Sequence, residues 1–179
     1  MRDSVPPRPL ALCWVRVDDR LIHGQVIVAW RRHLGYDEIC IVDNGLRADS
    51  FMREVLHMAM PTGIRISVYA LEEAIPLLKA TATMIPPGRR EGKVLLLLKS
   101  PQTALSLLEG GVPIPHLNIG NLAGGAGSRR AFKSIWLSAE HVATLDALAR
   151  EGVRITFQLT PDDTEADWPT VRRRLAGKA

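Results

Sequence analysis

Between residues 16 and 25 the chain reads Arg16-Val17-Asp18-Asp19-Arg20-Leu21-Ile22-His23-Gly24-Gln25, a stretch in which half of the side chains are ionisable. A neutral imidazole nitrogen is nucleophilic near pH 7 and can attack phosphorus or a carbonyl carbon, so His23 has the chemistry of a covalent acceptor. Arg20, three residues earlier, carries a planar guanidinium that matches two phosphate oxygens, and Arg16 joins it if the strand points it toward the turn. Gly24 removes a side chain that would obstruct close backbone approach. Asp18 and Asp19 would repel a free phosphate; their expected work is to tie down the turn, pair with an arginine or orient the imidazole. On residue type alone, a histidine before a helix also fits a capping or surface position, and these residues leave that open.

An apolar run over 12–17 feeds this turn, and a helical pattern starts at Gln25 directly after it. Strand, polar turn and helix start bring backbone N–H groups and the positive end of a helix dipole together, where a phosphate is stabilised. Further β-rich runs lie at 38–42, 65–69, 93–98, 116–119, 135–137 and 153–159, alternating with helical patterns. That alternation predicts a parallel sheet with helices on both faces. The run Val94-Leu95-Leu96-Leu97-Leu98 is apolar without alternation, as a strand covered on both sides should be. Ligands in such folds bind beyond the carboxyl ends of the strands, the end at which His23 sits.

The punctuation predicts helices over 25–34, stopped by Gly35, and over 50–60, entered from Asp49. A third over 71–80 holds Pro76 too deep for a first-turn proline. Ser100-Pro101 opens a fourth, Ser138 a fifth, and a last runs over 168–175. Residues 1–9 read as a flexible leader and 10–179 as one domain, with 46% hydrophobic residues and 5% aromatic, enough for a sizeable core.

The longest apolar runs fall well short of the roughly 20 residues of a membrane helix, and no signal-peptide pattern opens the chain. A net charge of +4 raises nucleic acid as a partner, but the paired arginines are not interleaved with aromatic residues, so no nucleic-acid surface is expected. Arg172 to Arg174 read as a solvated helix face. Cys13 and Cys40 lie in strand-like runs without metal or disulfide spacing and are expected to be buried thiols. His33, His57, His116 and His141 have no ligand spacing, so no metal is expected. The four tryptophans are too dispersed for a sugar-stacking platform.

The string from Val15 to Val26 resembles the signature of the IIB subunits of the mannose/fructose/sorbose family of the bacterial phosphoenolpyruvate-dependent sugar phosphotransferase system. The resemblance continues through Ile41-Val42-Asp43, the stretch 59–63, 94–101, 109–114, Leu117-Asn118-Ile119-Gly120-Asn121 and Gly152-Val153. It implies a three-layer α/β/α domain with a mainly parallel sheet. It also implies that His23 is the phosphoryl acceptor and that Arg20 belongs to the phosphate-binding turn, with Asp19, Leu21, Ile22, Gly24 and Gln25 around it.

Its partners would be a IIA phosphocarrier, membrane IIC and IID subunits and the sugar they deliver, with no metal, nucleotide or other cofactor, and a homo-oligomer is allowed. The protein would be cytoplasmic, held at the inner face of the membrane through its partners. A regulatory phosphorelay without transport, and a silent module that binds a phosphorylated ligand, are the alternatives. The stretch 122–130, with three glycines, Arg129 and Arg130, is richer in glycine than the family pattern. It reads either as a backbone nest for phosphate or as a plain surface loop, and it lacks the ending of a nucleotide-binding P-loop.

Overall fold

The computed structural model describes residues 11–81, 83–84 and 92–177; the leader expected over 1–9 and the Arg89-Arg90 pair lie outside the described residues. The first strand, β1 (Ala11–Asp18), takes a central place in the sheet, flanked by β5 (Lys93–Leu98) and β6 (His116–Asn121). Beyond β5 lie β2 (Glu38–Val42) and β3 (Arg65–Tyr69); beyond β6 lie β9 (Arg154–Phe157) and the short β10 (Ala166–Asp167). The short β4 (Thr83–Met84) also pairs with β1. Every pairing within this sheet is parallel except β10 against β9. After β1 the chain moves toward β2, and after β6 it moves the other way toward β9. The chain thus leaves these two neighbours in opposite directions, which makes their carboxyl ends the switch point at which such sheets place ligands.

Strand alternation divides the core between the two faces. Leu95 and Leu97 of β5 pack with Val26 and Trp30 of α1 (Gln25–Leu34), Leu46 of α2 (Asn44–Ala48) and Leu56 of α3 (Ser50–Ala59). Val94, Leu96 and Leu98 face α4 (Leu71–Thr81), α5 (Pro101–Glu109), α6 (Ala139–Arg150) and α7 (Trp168–Ala176). The three-layer α/β/α arrangement follows. Capping side chains start these helices where the polar residues predict: Asp49 accepts from Met52 N–H, Ser100 from Thr103 N–H, and Ser138 and His141 close a capping box. Helix α1 is wound wide as a π-helix over Gln25–Trp30 before tightening over Arg31–Leu34, and it ends at Gly35 with φ 68°.

The structure corrects several expectations. Residues 135–137 are not part of the main sheet: β8 (Ile135–Leu137) forms an antiparallel hairpin with β7 (Arg129–Phe132), turning at Lys133 with φ 43°. Arg129 and Arg130 accordingly begin a strand rather than close a loop. The run expected over 153–159 leaves the sheet after Phe157, which frees the carbonyls of Gln158 and Leu159 for other partners. Cys40 is buried, and burial pushes its thiol up to about 12. Cys13 is only partly covered, because the β1 register against β5 shifts between Leu12 and Trp14.

Candidate active site

The centre of the site is a buried carboxylate. Asp18 ends β1 with no exposure, and its Oδ2 accepts from Arg16 Nη2 at 3.0 Å, Arg20 Nη2 at 3.1 Å and His23 Nε2 at 2.9 Å. Its Oδ1 accepts from Arg20 Nε at 3.0 Å and from the Arg20 backbone N–H at 3.3 Å. Burial alone would raise the carboxyl pKa; the hydrogen bonds from His23 and Arg20 and the charge of Arg16 outweigh it and hold Asp18 at about 2. At neutral pH Asp18 is therefore an ionised acceptor, and the proton it shares with the imidazole resides on His23 Nε2. In the neutral ring that leaves the lone pair on Nδ1.

The local chain is bent to make this possible. Leu21 N–H donates to the Asp18 carbonyl at 2.9 Å, and Leu21 itself adopts φ 55°, unusual for a branched side chain. Its side chain is buried in the core under α1–α3, which offsets that conformation. Ile22 packs against the same core. The carbonyl of His23 accepts from Ile27 N–H at 3.0 Å, so the histidine stands at the mouth of α1 with exposed Gly24 beside it. The His23 side chain is 18% exposed and that of Arg20 43%, the latter steadied by Gln25 Oε1 at 3.2 Å.

Arg16 does not point at the turn as a phosphate ligand. Its guanidinium is buried along the sheet face, where Nη1 donates to Asn118 Oδ1 and, at 3.0 Å, to the Gln158 carbonyl. Nη2 donates to the Leu159 carbonyl at 3.1 Å as well as to Asp18, and the group lies 4.9 Å from the Trp30 ring centroid. A Cβ on Gly120 would stand 1.8 Å from Nη2, so only glycine at that place in β6 admits this arrangement. Arg16 thus acts through Asp18.

Asp19 ties the turn to the loop after β6. Its carboxylate accepts from Asn121 Nδ2 and Ala123 N–H, each at 2.6 Å. The glycine-rich stretch is anchored there, and Gly124 lies against the Trp136 ring. Arg129 and Arg130 are exposed on β7, and among the described residues no hydrogen bond or ion pair joins either to the His23 turn.

Four participants escaped the reading of the sequence as site residues. Gly120 and Asn118 form the Arg16 cradle; Lys99 sits just past β5, 3.8 Å from Asp43 at the end of β2. Asp43 and Lys99 line a groove of about 400 Å³ with Asp19, Arg20, Leu21 and Met52. Their signal was position, since each immediately follows a parallel strand. A larger cleft of about 680 Å³, between α6, β9 and α7, contains none of these residues. Among the described residues no cluster of three or more histidine, cysteine or acidic side chains gathers as metal ligands.

A family model described as the PTS system sorbose subfamily IIB component matches residues 12–177. The chain belongs to that family. Among relatives of this IIB chain, the sorbose-specific EIIB component of Lacticaseibacillus casei is 32% identical over 152 residues, covering 85% of this chain and 89% of that protein. The N-acetylgalactosamine-specific IIB component 2 of Escherichia coli K12 is 28% identical, covering 85% and 92%. The crystal structure of the IIBSor domain of the Klebsiella pneumoniae sorbose permease superposes with a TM-score of 0.79 at 26% identity, covering 92% of this chain and 97% of that one. That of manxB from Thermoanaerobacter tengcongensis gives 0.79 at 32% identity, covering 93% and 98%. This IIB component is a phosphocarrier of sugar phosphotransfer, and no helix among its described residues is long and apolar enough to cross a membrane.

Proposed function

We propose that Nδ1 of His23 accepts a phosphoryl group from the phosphohistidine of a IIA protein and passes it to a sugar delivered by membrane IIC and IID partners. In the first step the donor N–P bond breaks as the Nδ1–P bond forms. In the second, the Nδ1–P bond breaks as a sugar hydroxyl oxygen bonds to phosphorus and gives up its proton to solvent. The hydrogen bond from Nε2 to ionised Asp18 carries this reading: it fixes the tautomer, orients the ring and balances the charge the ring gains when Nδ1 is phosphorylated.

Arg20, held against Asp18 but nearly half exposed, swings its guanidinium to the phosphoryl oxygens while Asp18 keeps its remaining donors. Phosphoryl transfer rests mainly on such positioning and charge neutralisation, and this route uses no metal or nucleotide. The protein works at the cytoplasmic membrane face, held there through its partners. Relatives are named for sorbose, fructose, N-acetylgalactosamine and mannose; in this reading the membrane partners that deliver the sugar set its identity.

Incubation with phosphoenolpyruvate and the upstream carriers tests the assignment. One acid-labile phosphoryl group should appear, with the ¹⁵N and ³¹P signature of an Nδ1-phosphohistidine, and His23→Ala should abolish it. Labelling that survives in His23→Ala, or an acid-stable phosphate in the wild type, overturns it.

A further inference from the structure

Three polar side chains stand abreast in the middle of the covered sheet. Arg16 on β1, Asn118 on β6 and Thr156 on β9 are register partners on neighbouring parallel strands, and all three are fully buried. Polar groups placed so deeply destabilise the fold unless they satisfy one another. His116, two residues before Asn118 on the same face of β6, extends the row, with its ring centroid 4.4 Å from that of Trp14. Thr156 and His116 lie outside the turn that holds His23, yet an unbroken line of hydrogen bonds joins them to it.

The chemistry of the groups gives this line a single direction. A guanidinium donates and never accepts, so Arg16 Nη1 takes the amide oxygen of Asn118 and leaves Asn118 Nδ2 to donate on the other side. Nδ2 donates to Thr156 Oγ1 at 3.4 Å, and the Thr156 hydroxyl donates in turn to His116 Nε2 at 2.9 Å. His116 is therefore the terminal acceptor, neutral with its proton on Nδ1. Burial, and after it the charge of Arg154, push its pKa below the ordinary value against an opposing pull from Glu165, in keeping with that state. Without the Thr156 hydroxyl, Nδ2 becomes a buried donor with no acceptor; the amide turns to relieve it, and Arg16 loses a fixed partner. We propose that Thr156 and His116 are positioning residues for phosphoryl transfer: they lock the Asn118 amide, which seats the Arg16 guanidinium against Asp18, which in turn orients His23. This rests on the reading of His23 as the acceptor.

The test uses the full chain in three variants, each shown to be folded by circular dichroism and melting. Thr156→Val keeps the shape and removes the hydroxyl, Thr156→Ser restores it, and His116→Phe keeps a ring beside Trp14 but removes the acceptor. Initial rates of labelling from a purified phosphorylated IIA protein are read against its concentration, and ¹⁵N imidazole spectra report the His23 tautomer with no donor present. Thr156→Val and His116→Phe should each lower kcat about fivefold or more with KM within about twofold, and should move His23 from a single Nε2–H form toward a mixture of tautomers. Thr156→Ser should bring the rate back to within about twofold and restore the wild-type spectrum. In an Arg16→Met background, Thr156→Val should change the rate by less than about twofold, because no guanidinium is left to seat. A wild-type rate or an unchanged His23 spectrum in Thr156→Val or His116→Phe overturns the proposal, as does an equal loss from Thr156→Val when Arg16 is absent. Failure of the wild type to be labelled is a different result: it removes the acceptor reading, while the spectra still decide whether the row sets the His23 tautomer.

Discussion

Gly120→Ala should evict a guanidinium from the interior of the sheet face. The new Cβ would stand 1.8 Å from Nη2, 1.9 Å from Cζ and 2.4 Å from Nη1 of Arg16, whereas carbon contacts settle near about 3.5 Å. The group must retreat by roughly 1.5 Å, enough to stretch its 3.0 Å bonds to Asp18 and the Gln158 carbonyl out of hydrogen-bonding range. Because the clash is with the end of a flexible side chain, the fold survives. Loosening a buried ion pair should nevertheless cost about 3–5 kcal/mol. Urea unfolding should report that loss, and donor-to-His23 transfer should slow as Asp18 loses one of its fixed donors. A double-mutant cycle makes the cause specific: in an Arg16→Met background there is no guanidinium to displace, so adding Gly120→Ala should cost far less than it does alone. Strict additivity, or a Gly120→Ala protein within about 0.5 kcal/mol of wild type, would refute the cradle.

Asp18 should give the protein a stability that depends on acid. Its carboxyl is held at about 2 when folded against an ordinary 3.8, so its contribution is complete above pH 4 and disappears as pH falls toward 2. The difference corresponds to about 2 kcal/mol. Asp18→Asn should flatten that part of the urea-midpoint profile and slow phosphoryl transfer about a hundredfold or more at pH 7; a wild-type-like acid slope in the variant contradicts the assignment. Arg20→Ala should leave the melting temperature nearly unchanged, since the side chain is 43% exposed, while cutting the transfer rate. Arg20→Lys should restore part of that rate, and wild-type transfer by Arg20→Ala would remove Arg20 as the clamp.

The turn was legible because its information is local: strand, charged residues, histidine and helix start are consecutive, and the unbroken apolar run 94–98 of β5 announced a sheet covered on both sides. The direction of Arg16 was not legible. Whether residue 16 faces the turn or lies across β6 depends on Gly120 and Asn118, which are close only after the sheet assembles. Phe51, Val55 and Met58 have the spacing of a core stripe yet are exposed on α3, and sequence periodicity does not say which side of a helix the protein covers. Residues 135–137 have the composition of a central strand, but three residues between a hairpin turn and the Ser138 cap pair only with their own neighbour.

The partners of Arg16 on β6 and after β9 lie 102 to 143 residues further along the chain. A peptide spanning 12–26 would contain Arg16, Asp18, Arg20 and His23, yet apart from Asp18 none of the groups that pin the guanidinium. The proposed acceptor is therefore not expected to be portable: grafting the turn onto another strand–helix junction would transfer the letters without the supports of Arg16. Loop closure over those spans is completed only when the last third of the chain docks, so, with His23 as the proposed acceptor, a truncated chain that lacks β9 should label poorly even with its histidine intact.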